Sequence, residues 1–264
     1  MDRMEASSAA PRPGLKRALG PLAVLGAAAA KLKGALLLLP KLKLLTTSGT
    51  MLVSVAAYSF LWPWTFAIGF VLLLLVHELG HVIQLRREGI KASAPMFIPF
   101  LGAVVAAKSL GENALAEARV GLAGPVLGSL GTAALVPVWL ATGDDFWAAL
   151  AFTGFFLNLF NLLPVIPLDG GRAMAAMAPW MWFVGLAAML TLVFIAPNPI
   201  LILIVILGGY ETFRRWQERG TAVEGNADYY KVAPRHRLAV GVIYVGLVIA
   251  LALGMDATHV VRTL

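Results

Sequence analysis

The sequence predicts an all-α polytopic membrane protein, and three observations carry that prediction. Hydrophobic residues make up 59% of the 264-residue chain and charged residues only 13%, with a mean hydropathy of +0.82, well outside the usual globular mix. Charge-free stretches recur at lengths that suit helical spans of about 20 residues. Lys and Arg gather between alternate stretches: eight precede the first, five run from Arg86 to Arg119, one is Arg172, six run from Arg214 to Arg237, and only Arg262 remains. Together these give about seven transmembrane helices and a short re-entrant β-hairpin-like segment. The chain divides into three parts: a cytoplasmic tail and anchor (1–45), a six-span core (46–213), and a cytoplasmic loop with an additional C-terminal span (214–264).

Residues 1–20, rich in Ala, Ser, Pro and Arg, read as a disordered or loosely attached tail. Residues 18–30 imitate a secretory signal peptide, but cleavage there would leave Lys31, Lys33, Lys41 and Lys43 on the translocated side, against the positive-inside bias. Residues 18–45 read better as an interfacial amphipathic anchor with snorkelling lysines. Between Lys43 and His77 there is no charge. With the helix running on to Leu85, this leaves about 42 residues, room for two spans. Trp62-Pro63-Trp64 divides them near 46–62 and 64–85, because proline ends a helix and tryptophan suits the membrane interface.

Residues 92–107 are too short and too broken by proline to span. Pro95, Pro99 and Gly102 with the β-branched Ile98, Val104 and Val105 suggest a hairpin dipping into the bilayer, an ordinary interfacial loop being the other reading. A polar stretch at 108–119 comes next, then spans at 120–141, 146–163, 174–196, 200–213 and, after a polar loop at 214–237, 238–254. Gly121, Gly124, Gly128 and Gly131 permit close helix packing in the first of these. The positive-inside rule puts the N-terminus in the cytoplasm and the C-terminus outside. It also accounts for most of the net charge of +7, so the basic surface implies anionic membrane lipid and no nucleic acid. The Ala, Gly and Leu content and the charge pattern point to a bacterial plasma membrane.

The chain has no cysteine, which excludes disulfides, thiolate ligands and a cysteine nucleophile, and leaves His, Asp and Glu to hold any metal. Against that small ligand pool stands His77-Glu78-Leu79-Gly80-His81 at the end of a charge-free run. On a helix, His77 and His81 project from one face a turn apart and can reach one ion, with Glu78 beside them as a base for the water such an ion activates. With four His and eight Glu in the chain, the pattern arises by chance roughly 0.002 times, and ionisable groups inside a span are functional by default. A second motif is Asn161-Leu162-Leu163-Pro164-Val165-Ile166-Pro167-Leu168-Asp169-Gly170-Gly171-Arg172. Its prolines end a span and its glycines let the chain turn, so Asp169 is expected on irregular backbone at membrane depth, either as a third metal ligand or as a helix N-cap.

The two motifs together resemble the site-2 protease family of intramembrane zinc metalloproteases. The likeness covers roughly residues 46–213: the HELGH helix, the Pro/Gly-rich hairpin segment, Gly124-Pro125, and NLLPVIPLDGGR. The resemblance implies Zn2+ held by His77, His81 and Asp169, Glu78 as general base, and Asn161 as a residue that contacts substrate or shapes the site. It also implies cleavage in or near the transmembrane segment of a partner protein, often to release a cytoplasmic regulator. There are departures. No stretch of the 264 residues is long and polar enough for a PDZ domain or CBS pair, and Gly128 stands where the family often has Asn. Regulation is therefore expected from a separate protein, from a prior cut in the substrate, or from the anchor at 18–45. Other classes to weigh are a membrane-embedded zincin with a Glu third ligand, a metal transporter, and a non-catalytic scaffold retaining the motifs.

Overall fold

The computed structural model describes residues 43–107, 111–218 and 228–260. The tail at 1–20 and nearly all of the anchor at 18–45 lie outside them, as do Lys108, Arg219 and Arg262. From Thr47 onward the chain forms one compact unit.

Helix α1 (Lys43–Tyr58) ends ahead of the Trp62-Pro63-Trp64 break, and α2 (Trp64–Arg87) begins directly after Pro63. Its buried residues, Ala67, Phe70, Val71, Leu74, His77, Glu78, His81 and Leu85 among them, recur every three to four positions. Leu72, Leu79 and Ile83 face outward. A single stripe therefore carries both packing and chemistry. Arg86 and Arg87 lie in the last turn, where cations suit the helix dipole.

The expected hairpin is present: β1 (Met96–Ile98) pairs antiparallel with β2 (Gly102–Val104), Phe97 opposite Ala103. Its turn places Pro99 first and Phe100 second, Leu101 N–H donating to Ile98 O at 3.1 Å. Phe100 holds a positive φ of 65°, the left-handed region that a type II turn requires at that place and that costs a non-glycine residue about 1–2 kcal/mol. Its ring packs edge-on against Tyr58 of α1. Phe97 is buried with Tyr58, Phe70, Val71 and Leu74, while Met96 and Ile98 point out, the alternation of a strand with one covered face.

Asn113 caps α3 (Ala114–Ala133) by accepting from Ala116 N–H at 2.9 Å, so a helix begins inside the stretch expected to be a polar loop. After a slight break at Ala134, α4 (Leu135–Thr142) continues the crossing to Gly143. Helix α5 (Asp145–Asn161) returns, and residues 162–168 form irregular chain with a cis Ile166–Pro167 bond. Helix α6 (Asp169–Met177) begins at Asp169 itself. The irregular chain expected at Asp169 thus ends one residue before it, because Pro164 and Pro167 cannot take interior helix positions whereas an acidic first residue suits a helix start. The span expected at 174–196 is two helices: α6 stops before Pro179, and α7 (Met181–Ile195) starts after it. Helices α8 (Pro199–Glu218) and α9 (Pro234–Thr258) complete the described residues.

Among the described residues, three helical stretches are long and apolar enough to cross a membrane: α2, α3 with α4 (Ala114–Thr142), and α9. The fifteen residues of α7 rise only about 22 Å, short of a bilayer core of about 30 Å. The core gathers α3, α5, α6 and α9, with α2 closest to α3. Leu238, Val242, Val245, Ile249 and Leu253 of α9 are exposed, an apolar face that suits acyl chains better than water.

Candidate metal centre

The two sequence motifs meet. His77 and His81 on α2 and Asp169 at the start of α6 are all buried. Asp169 Oδ2 lies 3.1 Å from His77 Nε2 and 3.3 Å from His81 Nε2, and the two Nε2 atoms are 3.2 Å apart. The remaining nitrogens are engaged elsewhere. His81 Nδ1 lies 2.8 Å from Val120 O, and because a carbonyl only accepts, this nitrogen carries the proton. His77 Nδ1 lies 2.8 Å from Asn158 Oδ1. Asn158 is oriented by its own Nδ2–H, which donates to Gly154 O at 2.8 Å, so Oδ1 accepts and His77 Nδ1 also carries a proton.

Both Nε2 atoms then point lone pairs at a carboxylate oxygen. Three acceptors converging within 3.3 Å repel one another unless a cation or protons lie among them. A tetrahedral ion with ligand bonds of about 2.0 Å has ligand-to-ligand edges of about 3.3 Å. The triangle therefore has the donor chemistry and nearly the dimensions of a zinc site. Glu78 is buried too, and His77, Glu78 and His81 each offer a ligand atom within 4.8 Å of the others. Asp169, with Oδ2 3.1 and 3.3 Å from the two Nε2 atoms, closes a tight triangle with the histidines.

The surroundings hold this arrangement. A Cβ on Gly124 of α3 would overlap His81 Nε2 and lie within 2.8 Å of His77 Nε2, and one on Gly80 would overlap the Ala123 carbonyl. Bare backbone at 80 and 124 thus lets α2 and α3 approach with both imidazoles between them. Asp169 is fixed from behind: Arg172 Nη1 lies 3.8 Å from its other oxygen, Trp182 Nε1–H donates to Gly171 O at 2.7 Å, and Tyr244 O–H of α9 donates to Leu162 O at 2.6 Å. Irregular backbone between helices keeps its polar groups paired in this way. Asn161 closes α5 and donates to Leu157 O at 3.0 Å.

A second buried polar cluster stands at the start of α3. Glu117 is fully buried, accepts from Arg215 Nη1 of α8 at 2.7 and 3.0 Å and from Tyr229 O–H at 2.6 Å. Arg215 also donates to Glu211. Tyr229 is tied down further by its carbonyl, which accepts from Ala114 N–H. Burial and the adjacent Glu117 carboxylate push the Tyr229 phenol up from its ordinary pKa, so it stays a donor. Sequence reading missed this cluster and missed Asn158. A polar residue inside the phenylalanine-rich run of α5 was the available signal for the latter.

Comparison with known proteins agrees with the geometry. The model of Peptidase family M50 matches residues 65–144 and 138–184. Zinc metalloprotease MJ0392 of Methanocaldococcus jannaschii is 32% identical over 129 residues, 47% of this chain and 37% of that protein. Rip3 of Mycobacterium tuberculosis, whose name also carries zinc metalloprotease, is 34% identical over 113 residues, 39% of this chain and 28% of that protein. The match thus spans about a third of the length of these relatives. The stretch that the family model matches contains His77, Glu78, His81, Asn158 and Asp169, and across residues 65–184 this chain is similar to Peptidase family M50, the site-2 protease family.

Proposed function

We propose that this chain is an intramembrane zinc metalloprotease that hydrolyses peptide bonds in or near the transmembrane segment of a membrane-protein substrate. The observation that carries this reading is the acceptor triangle of His77, His81 and Asp169, with edges of 3.1 to 3.3 Å, buried next to a carboxylate. The zinc metalloprotease names of its relatives support it.

In this reading His77, His81 and Asp169 would hold zinc. Zinc, when bound, supplies Lewis-acid polarisation of the scissile carbonyl and acidifies water. Glu78, buried beside both histidines, accepts the proton of the attacking water and returns it to the leaving amine. Arg172 steadies the outer oxygen of Asp169, and Asn161, at the mouth of the loop that leads to Asp169, contacts substrate.

A helical substrate hides its carbonyls in its own hydrogen bonds, so a segment must unwind before it is cut. The hairpin offers an edge to hold it extended. The outer edge of β1 is taken: Thr50 Oγ1 accepts from Phe97 N–H at 3.1 Å, and Thr47 Oγ1 donates to Pro95 O at 2.7 Å. With the Phe97 amide turned outward, its partner Ala103 also directs N–H and C=O away from the ladder. The docking edge is therefore β2, the strand that packs near α2. The full reading keeps seven spans, a cytoplasmic N-terminus and an external C-terminus, with lipid and a separate regulatory protein as partners.

The test is metal content and cleavage measured together in purified protein. Glu78→Gln keeps one zinc per chain and loses roughly 10²–10⁴-fold in cleavage of a transmembrane substrate. Ala at His77, His81 or Asp169 removes the zinc itself. Full zinc in Asp169→Ala would move the third ligand elsewhere, wild-type cleavage by Glu78→Gln would remove Glu78 as the base, and zinc-loaded wild-type protein that cleaves no transmembrane substrate would favour a scaffold or transporter.

A further inference from the structure

The two histidines are oriented by different means. His81 donates to a backbone carbonyl, Val120 O, which no substitution of a side chain removes. His77 depends on one side chain, the Asn158 amide from α5, and that amide is 1% exposed. Its Nδ2–H is already committed to Gly154 O, so the oxygen has one orientation and the His77 Nε2 lone pair is directed at the cluster. Opposite it on α3 is Gly128. A Cβ there would overlap Asn158 Oδ1 and come within 2.9 Å of Cγ and 3.0 Å of Nδ2. The Asn158 amide thus fills the volume that a side chain at 128 would occupy.

We propose that Asn158 is a positioning residue that fixes the tautomer and ring orientation of His77 for metal binding, and that Gly128 is its counterpart, so that an amide on either helix could serve. The proposal rests on the reading of His77 as a metal ligand. The physical basis is that a ligating imidazole needs its other N–H held. Loss of such an outer partner lowers metal affinity by roughly 10–100-fold, because the ring is then free to turn or to carry its proton on the ligating nitrogen. Leucine at 158 keeps the branched four-atom shape of the asparagine side chain, in a larger volume, but accepts no hydrogen bond, so it removes the acceptor while the space stays filled.

The experiment measures zinc(II) affinity by competition with a chelator, using the full chain in lipid nanodiscs. The variants are Asn158→Leu, Asn158→Asp, the exchange Gly128→Asn with Asn158→Ala, and His77→Ala. Asn158→Leu is expected to lose roughly 10–100-fold in affinity. Asn158→Asp keeps an acceptor for His77 while giving up the bond to Gly154 O, and is expected to bind zinc at least as tightly as wild type. The exchange variant, with its amide on α3, is expected to recover most of what Asn158→Leu loses. Undiminished affinity in Asn158→Leu, with zinc lost in His77→Ala, overturns the proposal and leaves the ligand assignment standing. Undiminished affinity in both overturns the ligand assignment. Should Asn158→Leu fail to accumulate, the other two variants decide: weakened zinc binding in Asn158→Asp, or an exchange variant that neither folds nor binds, counts against it.

Discussion

The two buried polar clusters on α3 differ in one respect that separates a ligand site from a structural tie. At the N-terminal end of α3, Glu117 meets Arg215 and Tyr229, so donors and acceptors balance within the chain. Further along, at Gly124, the helix faces His77 and His81 with Asp169, and there the converging atoms are all acceptors. Burial in an apolar fold penalises both arrangements. Only the second leaves a deficit that no group among the described residues supplies. Balance of donors and acceptors, more than burial or charge count, marks where a cation belongs.

The balanced cluster should answer to the loss of a partner far more than to metal. Arg215→Ala leaves the buried Glu117 carboxylate without its cation, only the Tyr229 hydroxyl still donating to it, and a broken buried pair costs about 3–5 kcal/mol. Thermal inactivation of the detergent-solubilised protein should show that loss, with one zinc per chain in the fraction that remains folded. Replacing both partners, Glu117→Leu with Arg215→Met, should recover much of it, since apolar pairs of similar volume often match a buried ion pair. A large drop in zinc affinity with stability unchanged would mean that the two clusters are not separable.

The unbalanced cluster should answer to metal. An ion bound at about 100 times its Kd stabilises the folded state by about 2.7 kcal/mol, so chelation should lower the thermal midpoint of wild type and of Arg215→Ala alike. It should leave Asp169→Ala where it was. A midpoint in wild type indifferent to chelator would mean that protons, and not a cation, bridge the acceptors.

The same contrast explains what could be read in advance. His77 and His81 are four apart on one helix, so local periodicity displays them, and Asp169 is announced by prolines and glycines that serve little purpose in a simple span. The hairpin was legible for a like reason. Glu117 and Arg215 are 98 positions apart, and Glu117 and Tyr229 are 112 apart. In sequence each reads as one more charge or aromatic residue in a polar loop, and only the fold, which brings Arg215 and Tyr229 to the start of α3, joins them. Asn158 lies 81 positions from His77 and was hidden in the same way. The break between α6 and α7 was visible as Pro179, yet the apolar residues on both sides favoured one span.

The smallest expected effect concerns the hairpin, where backbone groups directed away from the ladder offer a place for something outside the chain. Met96 with Val104 and Ile98 with Gly102 flank the pair in which Phe97 N–H is turned outward to Thr50, so the Val104 amide serves the ladder and the Ala103 amide faces away from it. Proline removes an N–H without altering the metal site. Ala103→Pro should therefore keep the hairpin and the zinc but slow cleavage roughly tenfold, the loss of one substrate-held hydrogen bond of about 1.4 kcal/mol. Val104→Pro strikes the ladder itself and should loosen the hairpin, which hydrogen exchange at Met96 and Ile98 would register. If Ala103→Pro cleaves at the wild-type rate while Val104→Pro does not, the hairpin supports the fold, and holding the unwound substrate falls to the region around Asn161.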